Sequence, residues 1–367
     1  MEQELQQLCA LNGAAGAEDE VRAYIKRAIA EIPHKPGEIT VTTDTRGNLL
    51  VTKKGKAAPA TRLMLTAHMD EVAFIVTNIR DDGFIRFGTL GGINPSAIIG
   101  RGVYFPGKGG GSAGVNTGNG SGSNSTGGFS GVIGCKPVHL LSSKEKETQP
   151  KTDDLYADIG AGTKAEAETL VSPGDVFYYK SEFFGFGDGF VRGKAIDDRA
   201  GVAILLGILR EELAYDTLFA FTTGEEVGTR GASAAVWNLR PDVCIVIEAT
   251  TACDTPDNSG DSICKCGGGA VVSYMDKGTV YDKALYAAAF DTARELVLPV
   301  QTKTRVAGGN DAAAIHTAFG GVRTLAVSVP CRYLHTPSCV IKTEDMENTA
   351  KLVRGLMPKF SVQLGTR

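Results

Sequence analysis

The chain has 367 residues, of which 43% are hydrophobic and 22% charged, and its formal net charge is −4 at pH 7. This composition is typical of a globular protein with a sizeable core, and the lack of a basic excess argues against a nucleic-acid partner. No apolar run approaches the roughly 20 residues needed to span a membrane. The N-terminus has no signal-peptide pattern, so we expect a cytoplasmic protein whose eight cysteines are free thiols.

The first elements along the chain combine helices with strands. Helical periodicity covers residues 2–32, and residues 39–53 are typical of two strands joined by a turn. Between about 74 and 183, short β-type runs alternate with turn residues, which predicts a small barrel or sandwich. A stretch of Gly, Ser, Asn and Thr at about 107–128 lies within it, and we interpret it as a flexible surface loop.

Strands and helices alternate again after residue 185, which predicts a mixed or parallel sheet flanked by helices. The predicted fold is therefore α/β, with a mixed sheet flanked by helices and an inserted small β-barrel-like domain. One domain is discontinuous and consists of residues 1–73 and 184–367. Residues 74–183 form the inserted domain.

Acidic and histidine residues recur at strand ends or helix starts, at His68 and Asp70, Asp197 and Asp198, Glu225 and Glu226, Glu248, and His335. Because strand ends in one sheet meet at one edge, we expect these side chains to converge. Histidine and carboxylate ligands suit Zn²⁺, Co²⁺ or Mn²⁺. Asp70 is spaced to orient the ring of His68, and Asp197 is a candidate for a carboxylate that bridges two ions.

Each of these sites taken alone has a structural interpretation. Two aspartates before a helix are commonly an N-cap, and adjacent glutamates in a loop are commonly solvated. We interpret His34, His139 and His316 as structural. The joint occurrence of all the strand-end sites, in an order that supplies a complete dinuclear centre, favours metal chemistry.

The chain resembles the M42 family of metallo-aminopeptidases in six motifs, AHMDEV (67–72), GKAIDDRAG (193–201), TTGEEVGTRGA (222–232), VIEATTACDTP (246–256), GGNDAAAIH (308–316) and VPCRYLHTP (329–337). This family includes glutamyl and deblocking aminopeptidases, and members labelled endoglucanase by homology. The resemblance implies an enzyme that removes N-terminal residues from short peptides with two divalent ions (Zn, Co or Mn) per subunit. It also implies a zinc-peptidase-like catalytic domain and an inserted domain that assembles dimers into a homo-oligomer, up to a dodecamer.

The resemblance also implies roles for single residues. His68 and Glu248 would bind the first metal, with Asp70 orienting His68, and Asp197 would bridge to the second. The second metal would also be bound by Glu226 and His335, and Glu225 would be the general base. Two positions depart from the family pattern, Glu248 where many relatives carry Asp and Asn310 where Thr is common. The Gly/Ser-rich stretch is a further departure, an insertion in the assembly domain.

Two other functions remain open at this point. A glycosidase would use Glu225 with another carboxylate and would need no metal. A non-catalytic peptide-binding or scaffold particle would keep the fold without turnover. The preferred N-terminal residue has no readable motif, and residues 257–278 are a candidate region for the specificity pocket.

Overall fold

The computed structural model describes residues 1–107, 128–256 and 263–362. The Gly/Ser-rich stretch that we predict to be a surface loop lies almost entirely outside the described residues. So does the segment 257–262 of the candidate specificity region. The strands on either side of the Gly/Ser-rich stretch are paired with each other, and Phe105 lies opposite Phe129.

The described part of the chain contains the following strands: β1 (Ile39–Thr43), β2 (Leu49–Lys53), β3 (Leu63–His68), β4 (Ala73–Ile79), β5 (Ile85–Leu90), β6 (Gly102–Phe105), β7 (Phe129–Cys135), β8 (Leu155–Asp158), β9 (Val176–Tyr179), β10 (Phe184–Phe186), β11 (Phe190–Gly193), β12 (Thr217–Thr222), β13 (Val243–Thr251), β14 (Ala270–Ser273), β15 (Val300–Thr302), β16 (Arg323–Cys331) and β17 (Cys339–Lys342). The α-helices in the same residues are α1 (Glu2–Ala10), α2 (Asp19–Ala30), α3 (Pro95–Ile98), α4 (Ser143–Lys146), α5 (Lys164–Leu170), α6 (Ile196–Leu209), α7 (Ala232–Leu239), α8 (Lys283–Glu295), α9 (Ala312–Ile315) and α10 (Thr343–Ser361).

The largest sheet has eight strands in the order β1-β2-β12-β3-β13-β16-β14-β15. Its four central strands, from β12 to β16, are parallel neighbours, and antiparallel pairing at β2/β12 and β14/β16 makes the sheet mixed. Strands β3 and β12 are buried at every position, as expected for parallel strands covered on both faces. Successive side chains of β3 enter different cores, Leu63 and Leu65 on one face and Met64 on the other. The predicted α/β fold is confirmed.

Helix α6 is the buried helix at the centre of the larger core. From Ala200 to Leu209, every residue except Gly207 is buried, because a helix that is apolar all round must be enclosed. The helix packs against β3 and β13. Asp197 and Asp198 at its start have non-helical backbone angles, so the regular helix begins after them and they lie at the edge of the sheet.

The inserted β-region is a closed barrel in the order β4-β5-β8-β7-β6-β9, and pairing of β4 with β9 completes it. Aromatic rings fill its core. The ring centroid of Phe177 lies 5.0 Å from that of Phe74 and 4.3 Å from that of Phe105, both in stacked geometry. Tyr179 meets Phe74 edge-on at 5.0 Å. The predicted small barrel is confirmed.

The barrel strands run from Ala73 to Tyr179. The division into a domain of residues 1–73 and 184–367 and an inserted domain of residues 74–183 remains a prediction. No disulfide joins any of the eight cysteines, all of which lie within the described residues. Among the described residues, no helix has both the length and the apolar character that a membrane crossing needs.

Candidate active site

The carboxyl edge of the parallel strands brings the candidate residues together. His68 is the last residue of β3, Glu248 lies in β13, and Glu225 and Glu226 lie in the turn that follows β12. His335 lies in the loop between β16 and β17. Since β12, β3, β13 and β16 are parallel neighbours, their ends meet at one edge, as the sequence predicts.

Asp197 lies between the two histidines. Its Oδ1 is 3.3 Å from His68 Nε2, and its Oδ2 is 3.2 Å from His335 Nε2. Each of these ring nitrogens also faces a second carboxylate. Glu248 Oε2 lies 3.7 Å from His68 Nε2, and Glu226 Oε1 lies 3.2 Å from His335 Nε2. Two groups of three residues therefore share Asp197, which is the arrangement that a bridging carboxylate needs.

Asp70 contacts both halves of this cluster. Its backbone oxygen lies 3.0 Å from His68 Nδ1, closer than its carboxylate, which is 3.5 Å away. The carboxylate accepts the backbone N–H groups of Glu225 and Glu226 at 3.0 and 3.1 Å. Asp70 therefore orients the ring of His68 chiefly through its main chain, and it uses its side chain to fix the adjacent glutamates.

Asp198 is a further candidate ligand beside Asp197, and the peptide bond between the two is cis. Oxygen or nitrogen atoms of His68, Asp198 and Glu248 lie within 4.8 Å of one another, as do those of His68, Asp197 and Glu226. Asp198 Oδ1 accepts the backbone N–H of Gly201 at 2.9 Å. Its Oδ2 is buried without a hydrogen-bond partner among the described residues.

The loop that carries His335 has a costly backbone conformation. His335 has a φ of 60° and Tyr333 one of 58°, both in the left-handed region that side chains disfavour. The loop is fixed from outside, because His335 Nδ1 lies 2.8 Å from the Gly92 oxygen and the Tyr179 hydroxyl donates to the His335 oxygen at 3.4 Å. Both partners come from the barrel side, so the barrel contributes to the geometry of the site.

Glu225 lies in the wall of an open cleft of about 470 Å³ that leads to the cluster. It belongs to neither of the two groups around Asp197, although its neighbour Glu226 does. The volume is in the usual range of small-ligand sites, about 300–1,000 Å³. The cleft therefore admits a substrate to a carboxylate that is not engaged with a histidine.

The sequence matches the M42 glutamyl aminopeptidase family over residues 47–119 and 122–352. The chain belongs to this family. A glutamyl aminopeptidase of Lactococcus lactis is 29% identical over 97% of this chain and 95% of its own. A lysyl aminopeptidase of Pyrococcus furiosus is 27% identical over 87% of both chains.

A solved structure of the TET1 peptidase of Pyrococcus horikoshii superimposes with a TM-score of 0.80 at 30% identity, and the match covers 99% of both chains. That peptidase has been seen as a dodecamer and is described as assembling into a tetrahedron or a large octahedral shell. The prediction from the motifs that this chain is an aminopeptidase of the M42 family is confirmed.

Carboxylates outnumber histidines in the cluster around Asp197, and the pKa values of these groups are shifted. Burial would raise the pKa of Asp197, but hydrogen bonds from His335 and His68 hold it below its usual value. Burial would lower the pKa of His335, but Asp197 and Glu226 raise it to about 11. Burial raises the pKa of Glu248 well above its usual value, despite the opposing charge of His68. The two imidazoles are too few to neutralise the carboxylates around them.

The donor set fits divalent cations. Asp198 Oδ2 is buried without a hydrogen bond among the described residues, and an unpaired buried carboxylate oxygen costs free energy. Imidazole and carboxylate donors in this number are those that Zn²⁺, Co²⁺ and Mn²⁺ accept. The M42 family is one of metallopeptidases, and these buried residues are its candidate ligands here.

Sequence reasoning missed several residues at the site. Asp311 is buried, its Oδ2 accepts the Thr222 hydroxyl at 2.5 Å, and burial raises its pKa to about 6. Glu71 forms buried ion pairs with Lys194 at 2.7 Å and with Arg199 at 3.4 Å. These pairs tie the end of β3 to the start of α6, and so hold Asp197 against His68. The signal lay in the motifs themselves, since Glu71, Arg199 and Asp311 each stand within a quoted motif.

The remaining histidines lie elsewhere, as expected. His34 Nδ1 contacts the Ile32 oxygen at 2.6 Å, and His316 Nδ1 contacts the Ala312 oxygen at 2.7 Å. His139 is exposed in the short 3₁₀ turn Val138–Leu140. The two local backbone contacts and the exposure of His139 match the structural interpretation of all three.

Proposed function

We propose that this protein is a dinuclear-metal aminopeptidase that hydrolyses the N-terminal peptide bond of short peptides. The observation that carries the proposal is the position of Asp197. Its two oxygens face His68 and His335 separately, and each histidine faces a second carboxylate. Such an arrangement supplies two adjacent ligand sets with one shared member.

His68, Asp197 and Glu248 would hold one ion, and Asp197, Glu226 and His335 the other. Two divalent ions bound there would polarise the scissile carbonyl and lower the pKa of a bound water to about 7. In this proposal the peptide N-terminus enters the cleft, whose lining includes Asp197, Glu226 and His335. Asp70 keeps ligands and base in register, because its backbone oxygen contacts His68 and its carboxylate accepts the backbone N–H groups of Glu225 and Glu226.

Glu225 is the proposed general base. It lies in the cleft and is free of the two ligand sets, while its backbone N–H is held by Asp70. In the reaction its carboxylate takes a proton from the attacking water. It then gives that proton to the nitrogen of the leaving amine. One residue thus serves both proton transfers, as its place between cleft and ligands allows.

The proposal is tested with a panel of aminoacyl-anilides, each assayed with Zn²⁺, Co²⁺ and Mn²⁺ and after treatment with EDTA. We expect hydrolysis that EDTA abolishes and added metal restores. A glycosidase would be insensitive to EDTA and active on oligosaccharides. A scaffold particle would hydrolyse no anilide with any metal, although it could still bind peptides.

Metal content provides a second, independent measure. Elemental analysis of the wild type should find about two ions per chain, and His68→Ala and His335→Ala should each lose metal together with rate. Full metal content in both variants would contradict the ligand set, even if the enzyme proved to be a peptidase.

We also propose that the chain forms a homo-oligomer and that the barrel region, residues 74–183, contributes to the contacts. Support comes from the shells described for the TET1 peptidase of Pyrococcus horikoshii. Light scattering coupled to size exclusion measures the mass directly. A monomeric mass at micromolar concentration would refute this part alone.

A further inference from the structure

The cleft has a second charged feature besides the cluster of histidines and carboxylates. Among the described residues that line it, Lys303 is the single lysine or arginine, whereas the cluster end is lined by Asp197, Glu225, Glu226 and Glu248. A cation in the lining is available to an acidic group that a bound substrate places in the cleft. The function proposed above assigns it no role.

Lys303 is held in place but not neutralised. It directly follows β15, its backbone N–H donates to the Val272 oxygen at 3.2 Å, and its Nζ donates to the Ala307 oxygen at 2.8 Å. It forms no ion pair with any carboxylate of the described residues. A lysine ammonium has three N–H donors, so two remain available to a ligand once Ala307 has taken one.

The strand order sets the distance between Lys303 and the cluster. From β13, which carries Glu248, three steps across the sheet lead through β16 and β14 to β15. At a spacing of about 4.8 Å per strand, these steps span roughly 14 Å. Lys303 and Glu248 both line the cleft, so the gap between them is open to a substrate side chain.

The floor of this gap is polar. Ser328 lies beside Glu248 in the register of β13 and β16, and Ser273 lies on the next strand. Both serines and Thr250 are buried, and all three line the cleft together with the partly exposed Thr251. Hydroxyl groups around an ammonium suit an anionic or polar side chain, whereas an aliphatic side chain would leave them without partners.

We propose that Lys303 is the specificity-determining residue of this cleft and that it selects peptides whose N-terminal residue is acidic, glutamate above all. The inference rests on the proposed aminopeptidase function. Family membership does not decide the matter, because relatives of this chain are named as both glutamyl and lysyl aminopeptidases. The ammonium of Lys303 would donate two charge-assisted hydrogen bonds to the substrate carboxylate.

Lys303 could instead serve only as a tie for the loop that precedes Asn310, through its bond to Ala307. A purely structural tie would affect all substrates equally. A specificity residue changes the ratio between a charged substrate and its neutral isostere. Glutamate and glutamine substrates provide that pair, since they differ in charge at nearly constant shape.

The test compares kcat/KM for the p-nitroanilides of Glu, Gln, Leu and Lys in the metal-loaded full chain. We expect wild type to prefer Glu over Gln ten- to a hundredfold, as a charge-assisted contact allows. Lys303→Met should bring this ratio near one, Lys303→Arg should keep most of it, and Lys303→Glu should favour Lys over Gln. Arg305→Met is the matched control, because it removes one positive charge from the same loop outside the cleft lining, and it should keep the wild-type ratio.

Calorimetric binding of free L-glutamate and L-glutamine gives the same comparison without turnover. Tighter binding of glutamate that Lys303→Met abolishes supports the inference even if no anilide is hydrolysed, a result that would refute only the proposed function. Two results would overturn the inference while leaving an active aminopeptidase. One is equal kcat/KM for the Glu and Gln anilides in wild type, and the other is an equal loss of kcat/KM on all four anilides in Lys303→Met.

Discussion

The barrel and the carboxyl edge of the sheet bury opposite kinds of side chain. Among residues 74–107 and 128–183, no charged or amide side chain and no serine or threonine is buried, and stacked rings such as Phe74, Phe105 and Phe177 fill the core. At the sheet edge, His68 and Asp198 are almost inaccessible and lie among further carboxylates. The barrel core is thus made of apolar side chains, whereas the sheet edge buries ionisable side chains, whose burial costs free energy.

This difference shows where each region obtains its stability. Apolar burial stabilises by about 25 cal/mol for each Å² removed from water, so the barrel core needs no ligand. Buried carboxylates that exceed their counter-charges are destabilising by several kcal/mol per ion unless a cation compensates them. We therefore expect the barrel to behave alike with and without metal, and the sheet edge to depend on it.

The largest expected effect tests the function of the sheet edge. Glu225→Gln should lower kcat about a thousandfold, because the amide cannot accept the proton of the attacking water. Metal content and melting temperature should stay at wild-type values, since Glu225 belongs to neither ligand set. The control is Glu147→Gln, which makes the same change at an exposed residue outside the site and should leave kcat unchanged. A Glu225→Gln variant with near-wild-type kcat would disprove the base assignment.

The next effect tests the barrel. Phe177 is fully buried between two stacked rings, so Phe177→Ala should cost about 3 kcal/mol or more through lost burial and a residual cavity. Denaturant unfolding measures this cost, and Phe186→Ala, at 44% exposed, should cost much less. Hydrogen exchange should rise in β4 to β9 while metal content stays unchanged.

Loss of metal in folded Phe177→Ala protein would refute the independence of the two regions. The route would be His335, which the barrel side holds through Gly92 and Tyr179. In that case the contacts of Gly92 and Tyr179 with His335 would transmit changes in the barrel core to the metal ligands.

The sequence predicts the convergence of His68, Glu225, Glu248 and His335 because it follows from one rule, that parallel strands end at the same edge. Their strands are recognisable as apolar runs, and the barrel is recognisable by its turn spacing. These features depend on local pattern alone. Asp197 required more, because the sequence places it before a helix, where an aspartate is commonly an N-cap, and only the joint pattern pointed to it.

Other parts of the site depend on spatial order that no local pattern encodes. Lys303 lines the cleft because β15, which it follows, pairs with β14, and β14 in turn pairs with β16. No sequence pattern between these strands predicts that order. Gly92 meets His335 across 243 positions of sequence. The carboxylate of Asp70 turns to the backbone of Glu225 and Glu226, since its main chain already contacts the ring of His68.

The smallest effect concerns the loop that carries His335. Arg332 forms two hydrogen bonds of 2.7 Å with Asp254, which follows β13, and its guanidinium lies 5.0 Å from the ring centroid of Phe190. Arg332→Met keeps the length of the side chain but removes both hydrogen bonds, at a cost of about 1 kcal/mol for a partly exposed bidentate pair. If that energy is what orders the loop, the affinity for one of two bound ions should fall about fivefold.

Competition with a chelating dye measures both metal affinities in the Arg332→Met variant, and Arg305→Met controls for the loss of charge. One weakened affinity beside one unchanged affinity would show that the sheet edge is held by separable polar ties, in contrast to the shared apolar core of the barrel. Equal weakening of both would mean that Asp197 transmits the disturbance from His335 to His68, and that the edge responds as one unit. Lower stability with both affinities unchanged would show that the tie to Asp254 holds the loop but not the ligand.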